Sequence, residues 1–226
     1  MTGVLEGTLG TSTDAPTNMR AAGVVALVGA IVMVVGAGLY ASSGADAWAA
    51  VSSGDTQKFL NDAAASATTF YAGLSAWITG AILMAVGGGL VAGVGSGFGA
   101  PAARTTLAIG AAVAVPAFVV LATVVRLAAS GSTSLDLADS LAFLGTTLDD
   151  VATIIIIGVS PVLIGLSGHG RWMPRWLYFW ALACGVAGVI ATVAVFLGMS
   201  STLGMILVPV GIGWMFATGV VAIRHR

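Results

Sequence analysis

Six stretches of this chain are apolar and long enough to cross a bilayer, and the charged residues between them are sorted by sign. A membrane helix needs about 20 largely apolar residues, a length met by the runs at about 20–40, 69–94, 105–126, 148–166, 176–197 and 203–223. Threading the chain through them leaves Arg20, Arg104, Arg171, Arg175, Arg224 and Arg226 on one side. Asp46, Asp55, Asp62, Asp136, Asp139, Asp149 and Asp150 fall on the other, and only Lys58 and Arg126 break the basic pattern. Positive residues flanking membrane helices are held back in the cytoplasm. The sorting therefore predicts an all-α, polytopic bundle of six transmembrane helices with cytoplasmic N- and C-termini.

Composition agrees about the solvent. Hydrophobic residues make up 58% of the chain and charged residues 8%, against roughly 25% charged in a soluble domain. The lipid bilayer is the expected surrounding. A net charge of -1 with no Lys/Arg cluster argues against a nucleic-acid partner and against recognition of anionic surfaces by a basic patch. Cys184 is the only cysteine, which excludes an internal disulfide, a Cys-rich zinc site or a thiol pair. The abundance of Ala, Gly and Val with a single Lys suggests a bacterial protein, hence a multi-pass protein of the bacterial plasma membrane.

The chain divides into a polar cytoplasmic tail, 1–19, and the six-helix domain, 20–226. The tail carries Glu6 and Asp14 rather than a basic segment, and the apolar run after it is long enough to span, so an uncleaved first helix is expected. Residues 41–68 and 128–147 read as external segments, and 56–66 as a short helix lying on the membrane surface. Met199 to Thr202 reads as a tight outer turn. Trp48, Tyr71 and Trp77 on one side, and Trp172, Trp176, Tyr178 and Trp180 on the other, fall where aromatic belts anchor membrane helices.

Three sets of residues stand out. Gly89, Gly93 and Gly97 recur every four residues, the spacing that lets helix backbones approach closely, within the bundle, against a partner membrane protein or in a homo-oligomer. Arg126 ends the third helix on the side where carboxylates collect, and Asp149 and Asp150 open the fourth at the same depth. This suggests an ion pair at the outer mouth, with Thr146 and Asp149 at the spacing of a capping box. The alternative role for this trio is a gate or ligand site. Pro116, Pro161 and Pro209 interrupt helices in mid-membrane, where freed carbonyls favour a protein-lined cavity, and Trp214 lies at a comparable depth with an indole N–H that wants an acceptor.

Catalysis finds little to work with. His169 and His225 lie in the inner loop and the C-terminal tail, so no helix interior offers paired haem ligands or a converging metal-binding set. Ser75 and Ser160 have no membrane histidine to act as base. No cofactor is expected and an enzyme is not the favoured reading, although a site around His169 remains an alternative. The helix interiors also lack the mid-membrane acid or histidine that a proton-driven pump normally carries.

The string Gly168-His169-Gly170-Arg171-Trp172-Met173-Pro174-Arg175-Trp176-Leu177 resembles the Pro-Arg-Trp-Leu entry to the fifth helix in an uncharacterised family of bacterial six-helix membrane proteins, a domain of unknown function. Arg126 near the end of the third helix is similar to a feature of that family. The resemblance implies a six-helix fold and no activity. From the residues themselves the favoured function is a non-enzymatic accessory or scaffold subunit of a membrane assembly. The alternative is a small transporter, or a lipid- or small-molecule-binding membrane protein, with a cavity near the mid-membrane prolines.

Overall fold

Within hydrocarbon, every backbone N–H and C=O must be satisfied inside the protein, and helices do this segment by segment. The computed structural model describes residues 15–198 and 200–225, and no strand occurs among them. The polar tail over 1–14, Met199 of the expected turn, and Arg226 lie outside the described residues. The helices are α1 Ala15–Ser42, α2 Ala47–Ser53, α3 Thr56–Ala65, α4 Ala67–Val94, α5 Gly99–Ala129, α6 Leu135–Thr153, α7 Ser160–Gly168, α8 Arg175–Phe196 and α9 Ser200–Arg224. A π-helical segment, Ile154–Val159, joins α6 to α7. Six spans are long and apolar enough to cross a membrane: Asn18–Ser42, Ala67–Val94, Gly99–Ala129, Leu135–Gly168, Arg175–Phe196 and Leu207–Arg224. The protein is a multi-pass helical membrane bundle. Arg20, Arg104, Arg171, Arg175 and Arg224 share its basic end, while α2 and α3 cover the opposite, lidded end.

The fourth span departs most from the sequence reading. Instead of starting near 148 after an external segment, it begins at Leu135, where Ser134 caps it by accepting from the Leu137 N–H at 3.3 Å. Asp136 and Asp139 lower the hydropathy of this stretch, yet Ala138, Ala142, Gly145 and Thr146 form a buried stripe at helical spacing, turned toward α5. Thr146 is therefore mid-helix, its hydroxyl donating back to the carbonyls of Ala142 at 3.0 Å and Phe143 at 3.1 Å, and no capping box forms with Asp149. Lower down, Pro161 lacks the N–H that an α-helix needs at that point. Ser160 instead turns both its N–H and its hydroxyl to the carbonyl of Ile155, closing the wider π turn.

Residues 41–68, too polar to cross, fold into two short helices, each opened by an aspartate. Asp46 accepts from the Ala49 N–H at 2.9 Å and Asp55 from the Lys58 N–H at 3.2 Å, satisfying first-turn donors. Gly54 makes the corner between them at φ +75°, a conformation suited to glycine. The apolar face of 56–66 is turned to the protein: Phe59, Leu60 and Ala63 are buried, with α3 packed against α4, α5 and α6.

Glycine organises the α1–α4 contact through a seven-residue repeat. A Cβ on Gly73 would meet the Tyr40 backbone nitrogen at 2.8 Å, one on Gly80 would meet that of Met33 at 2.8 Å, and one on Gly87 would overlap Ala26. Gly29 and Gly36 of α1 answer in the same register, against Met84 and Trp77. Two backbones can approach this closely only where side chains are absent, and a strict heptad suits a left-handed crossing. Gly89 and Gly93 instead face Arg104 of α5, and Gly97 is a turn residue at φ +72° with open space around it.

Candidate functional site

Asp149 and Asp150 are adjacent on α6, and successive helical residues diverge by about 100°, so their carboxylates serve different surroundings. Asp150 faces the lid, where Trp48 of α2 donates its indole N–H to Oδ1 at 3.3 Å. Asp149 lines a partly open cavity of about 100 Å³ whose rim includes the exposed Val208. The cavity wall on this side is Asp149, Ala152 and Thr153 of α6, continued into the π segment by Ile156 and Ile157. Met33, Trp77, Met84, Phe118 and Ile212 supply apolar walls from α1, α4, α5 and α9. Asp149 is the one ionisable residue in that lining, and it makes no ion pair among the described residues.

An aromatic layer separates this cavity from the lidded end. The Tyr40 ring lies 4.7 Å from Trp77, 5.8 Å from Trp48 and 5.7 Å from Phe70, while Trp77 stacks on Phe118 at 5.2 Å. Trp48 and Trp77, expected as interfacial anchors, thus belong to an internal cluster. The Tyr40 hydroxyl accepts from the Ala47 N–H at 2.9 Å, fixing the start of α2. Thr56 at the start of α3 donates to Asp139 at 2.6 Å. Three polar ties, at Tyr40, Trp48 and Thr56, hold the lid over the layer.

The other candidates are placed differently from the sequence expectation. Pro209 follows the wall residue Val208 and Pro116 lies between Ala114 and Phe118, but both prolines are exposed on the outer surface. Pro161 is buried beneath the π segment, away from the cavity wall. Trp214 is buried and donates to the Leu177 carbonyl at 2.8 Å, so its indole ties α9 to α8. Arg126 is exposed on α5, with its charge within electrostatic reach of the Tyr71 hydroxyl, and Asp150 accepts a hydrogen bond from Trp48. His169 is exposed and stacks on Tyr178 at a ring separation of 4.3 Å. The sequence marks Asp149 as a candidate for an outer-mouth ion pair, gate or ligand site, but not as part of a cavity wall, because it reads as the start of a helix. The i, i+3, i+4 pattern of Asp149, Ala152 and Thr153 was the available signal.

Comparison with protein-family models, with curated proteins and with solved structures found no match. Function therefore has to be argued from the cavity itself. The cavity lining offers one carboxylate, on Asp149, and one side-chain hydroxyl, on Thr153.

Proposed function

We propose that the protein binds a small monovalent cation in the cavity beside Asp149 and carries it across the membrane, with α2 and α3 as the gate at one end. The observation that supports this reading is an acidic side chain lining a partly open cavity between membrane spans, without an ion-pair partner among the described residues. Ionisable groups inside spans are costly and mark ion or substrate paths. About 100 Å³ matches roughly three waters at about 30 Å³ each, enough for a small ion that keeps part of its hydration. Thr153 adds a hydroxyl to the lining. The scaffold role rests on short loops, glycine-laced helices and an interior lacking ionisable residues, and Asp149 in the cavity weighs against the last of these. The resemblance to the uncharacterised six-helix family adds no activity to either reading.

On this proposal the protein sits in a bacterial plasma membrane with its basic end in the cytoplasm and its lid outside. A cysteine placed at exposed Ser53 would then label from outside intact cells. Transport itself is tested in liposomes containing the purified chain, by uptake of radiolabelled sodium, rubidium or methylammonium. Uptake of one of them above protein-free liposomes is expected, reduced at least tenfold by Asp149→Asn and unchanged by Asp136→Asn, at an exposed position outside the lid and the cavity lining. No uptake of any, or uptake indifferent to Asp149→Asn, would sink the reading.

A further inference from the structure

A second concavity lies on the lipid-facing side of the basic end, between α4 and α5. It is a groove of about 400 Å³ with apolar walls that include Ile82, Val86, Leu90, Ala108 and Ala111, and its one charged lining residue is Arg104. The volume falls within the roughly 300–1,000 Å³ range of small-ligand sites. From Leu90 to Ile82 the groove follows α4 for about 12 Å. With α5 about 46 Å long and hydrocarbon about 30 Å thick, roughly 8 Å of helix projects at each end. Arg104 is about 7.5 Å into α5, which for a bilayer centred on that helix puts it at the boundary between headgroups and hydrocarbon.

Arg104 is seated rather than loose. Its Nε donates to the Gly89 carbonyl at 3.1 Å, and its guanidinium lies where a Cβ on Gly93 would stand. Gly89 and Gly93, expected from their spacing to pack helix on helix, are the bed for this side chain. A guanidinium has further N–H donors in a planar fork that suits phosphate. Those on Arg104 find no protein acceptor among the described residues, whose carboxylates lie at the lidded end or, for Asp149, in the cavity beneath it. An apolar trough ending in an unneutralised, positioned cation at headgroup depth has the polarity of a phospholipid.

We propose that this groove holds one anionic phospholipid of the leaflet at the basic end, with an acyl chain along α4 and α5 and its phosphate on Arg104. The site is separate from the cavity beside Asp149 and does not depend on any transport activity. The test is native mass spectrometry of the full chain in mild detergent, titrated with phosphatidylglycerol or phosphatidylcholine. One tightly retained phosphatidylglycerol is expected, with occupancy lowered at least tenfold by Arg104→Gln. Ala108→Phe, at an exposed wall position, fills the trough without touching the charge and is expected to lower occupancy as much. Ile82→Trp is the second wall variant should Ala108→Phe fail to fold. Inorganic phosphate at millimolar concentration is expected to leave the lipid in place. Retention unaffected by the wall variant would reduce the effect to charge attraction and overturn the proposal. Displacement by inorganic phosphate, or equal retention of both lipids by wild type and Arg104→Gln, would overturn it too.

Discussion

Trp48 and Asp150, 102 residues apart, are joined by an indole N–H to carboxylate hydrogen bond of 3.3 Å. It connects the lid to the helix that carries Asp149, so the state of the lid and the position of the cavity wall are mechanically linked. A hydrogen bond to a charged group contributes about 1.5–3 kcal/mol at best geometry, and this long, half-buried one should supply about 1 kcal/mol. Trp48→Phe keeps the ring and removes the donor. We expect amide exchange in residues 47–53 to rise roughly fivefold, the population change that about 1 kcal/mol produces, with α5 and α8 unaffected. Unchanged exchange in α2 would mean that Tyr40 and Thr56 hold the lid without it.

The glycine register gives a sharper contrast. Gly80 faces the Met33 backbone with no room for a side chain, whereas a Cβ on Gly89 would meet only the Arg104 Cγ, at 3.7 Å. Gly80→Val should destabilise the bundle by at least the 1–3 kcal/mol typical of overpacking, because α1 must move as a unit to admit it. Gly89→Ala should cost less than about 0.5 kcal/mol, the usual range for a substitution away from packed features. Thermal unfolding in detergent measures both, and equal losses would contradict the α1–α4 register.

The difference between those glycines also shows what the sequence could reveal. The six spans and their charge sorting were legible because lipid imposes length and polarity on each segment separately. The cluster from Gly87 to Gly97 drew attention by density, but the Gly73, Gly80 and Gly87 repeat gains meaning only opposite Gly29 and Gly36 of α1. The start of α6 was hidden by Asp136 and Asp139, which lower hydropathy on the exposed side of an amphipathic helix. Asp149 was visible as a carboxylate, but its place in the cavity follows from that longer helix and from walls contributed by α1, α4, α5 and α9. Pro116 and Pro209 fall beside wall residues in sequence without lining the cavity.

Lys58 offers a pH test outside the membrane spans. Its ammonium pairs with Asp62 one turn along α3, and that hydrogen bond, helped by the Asp62 charge, raises its pKa above the ordinary lysine value. A raised folded pKa means that the stabilisation is complete below the unfolded pKa of about 10.4 and fades as pH climbs through the folded value. Because Lys58 is exposed, the effect on stability should be small and screened by salt. Asp62→Asn should bring the Lys58 titration down, as followed by NMR of the labelled side chain. An unmoved titration would remove Asp62 as the cause.

The α8–α9 pair rests on two tryptophans that reach in opposite directions. Trp214 of α9 donates to the Leu177 carbonyl at 2.8 Å, and Trp180 of α8 donates to the Val210 carbonyl at 3.1 Å. Each indole fills space and supplies one donor, and the two losses can be separated. Trp214→Phe removes the hydrogen bond and part of the volume, so about 1–2 kcal/mol is expected. Trp214→Ala also leaves a cavity in a fully buried position and should cost about 3–5 kcal/mol. If the two indoles act as one clamp, the double variant Trp180→Phe with Trp214→Phe should cost less than the sum of the singles, because the first loss already loosens the shared contact. Strict additivity in detergent unfolding would show that the two ties act independently.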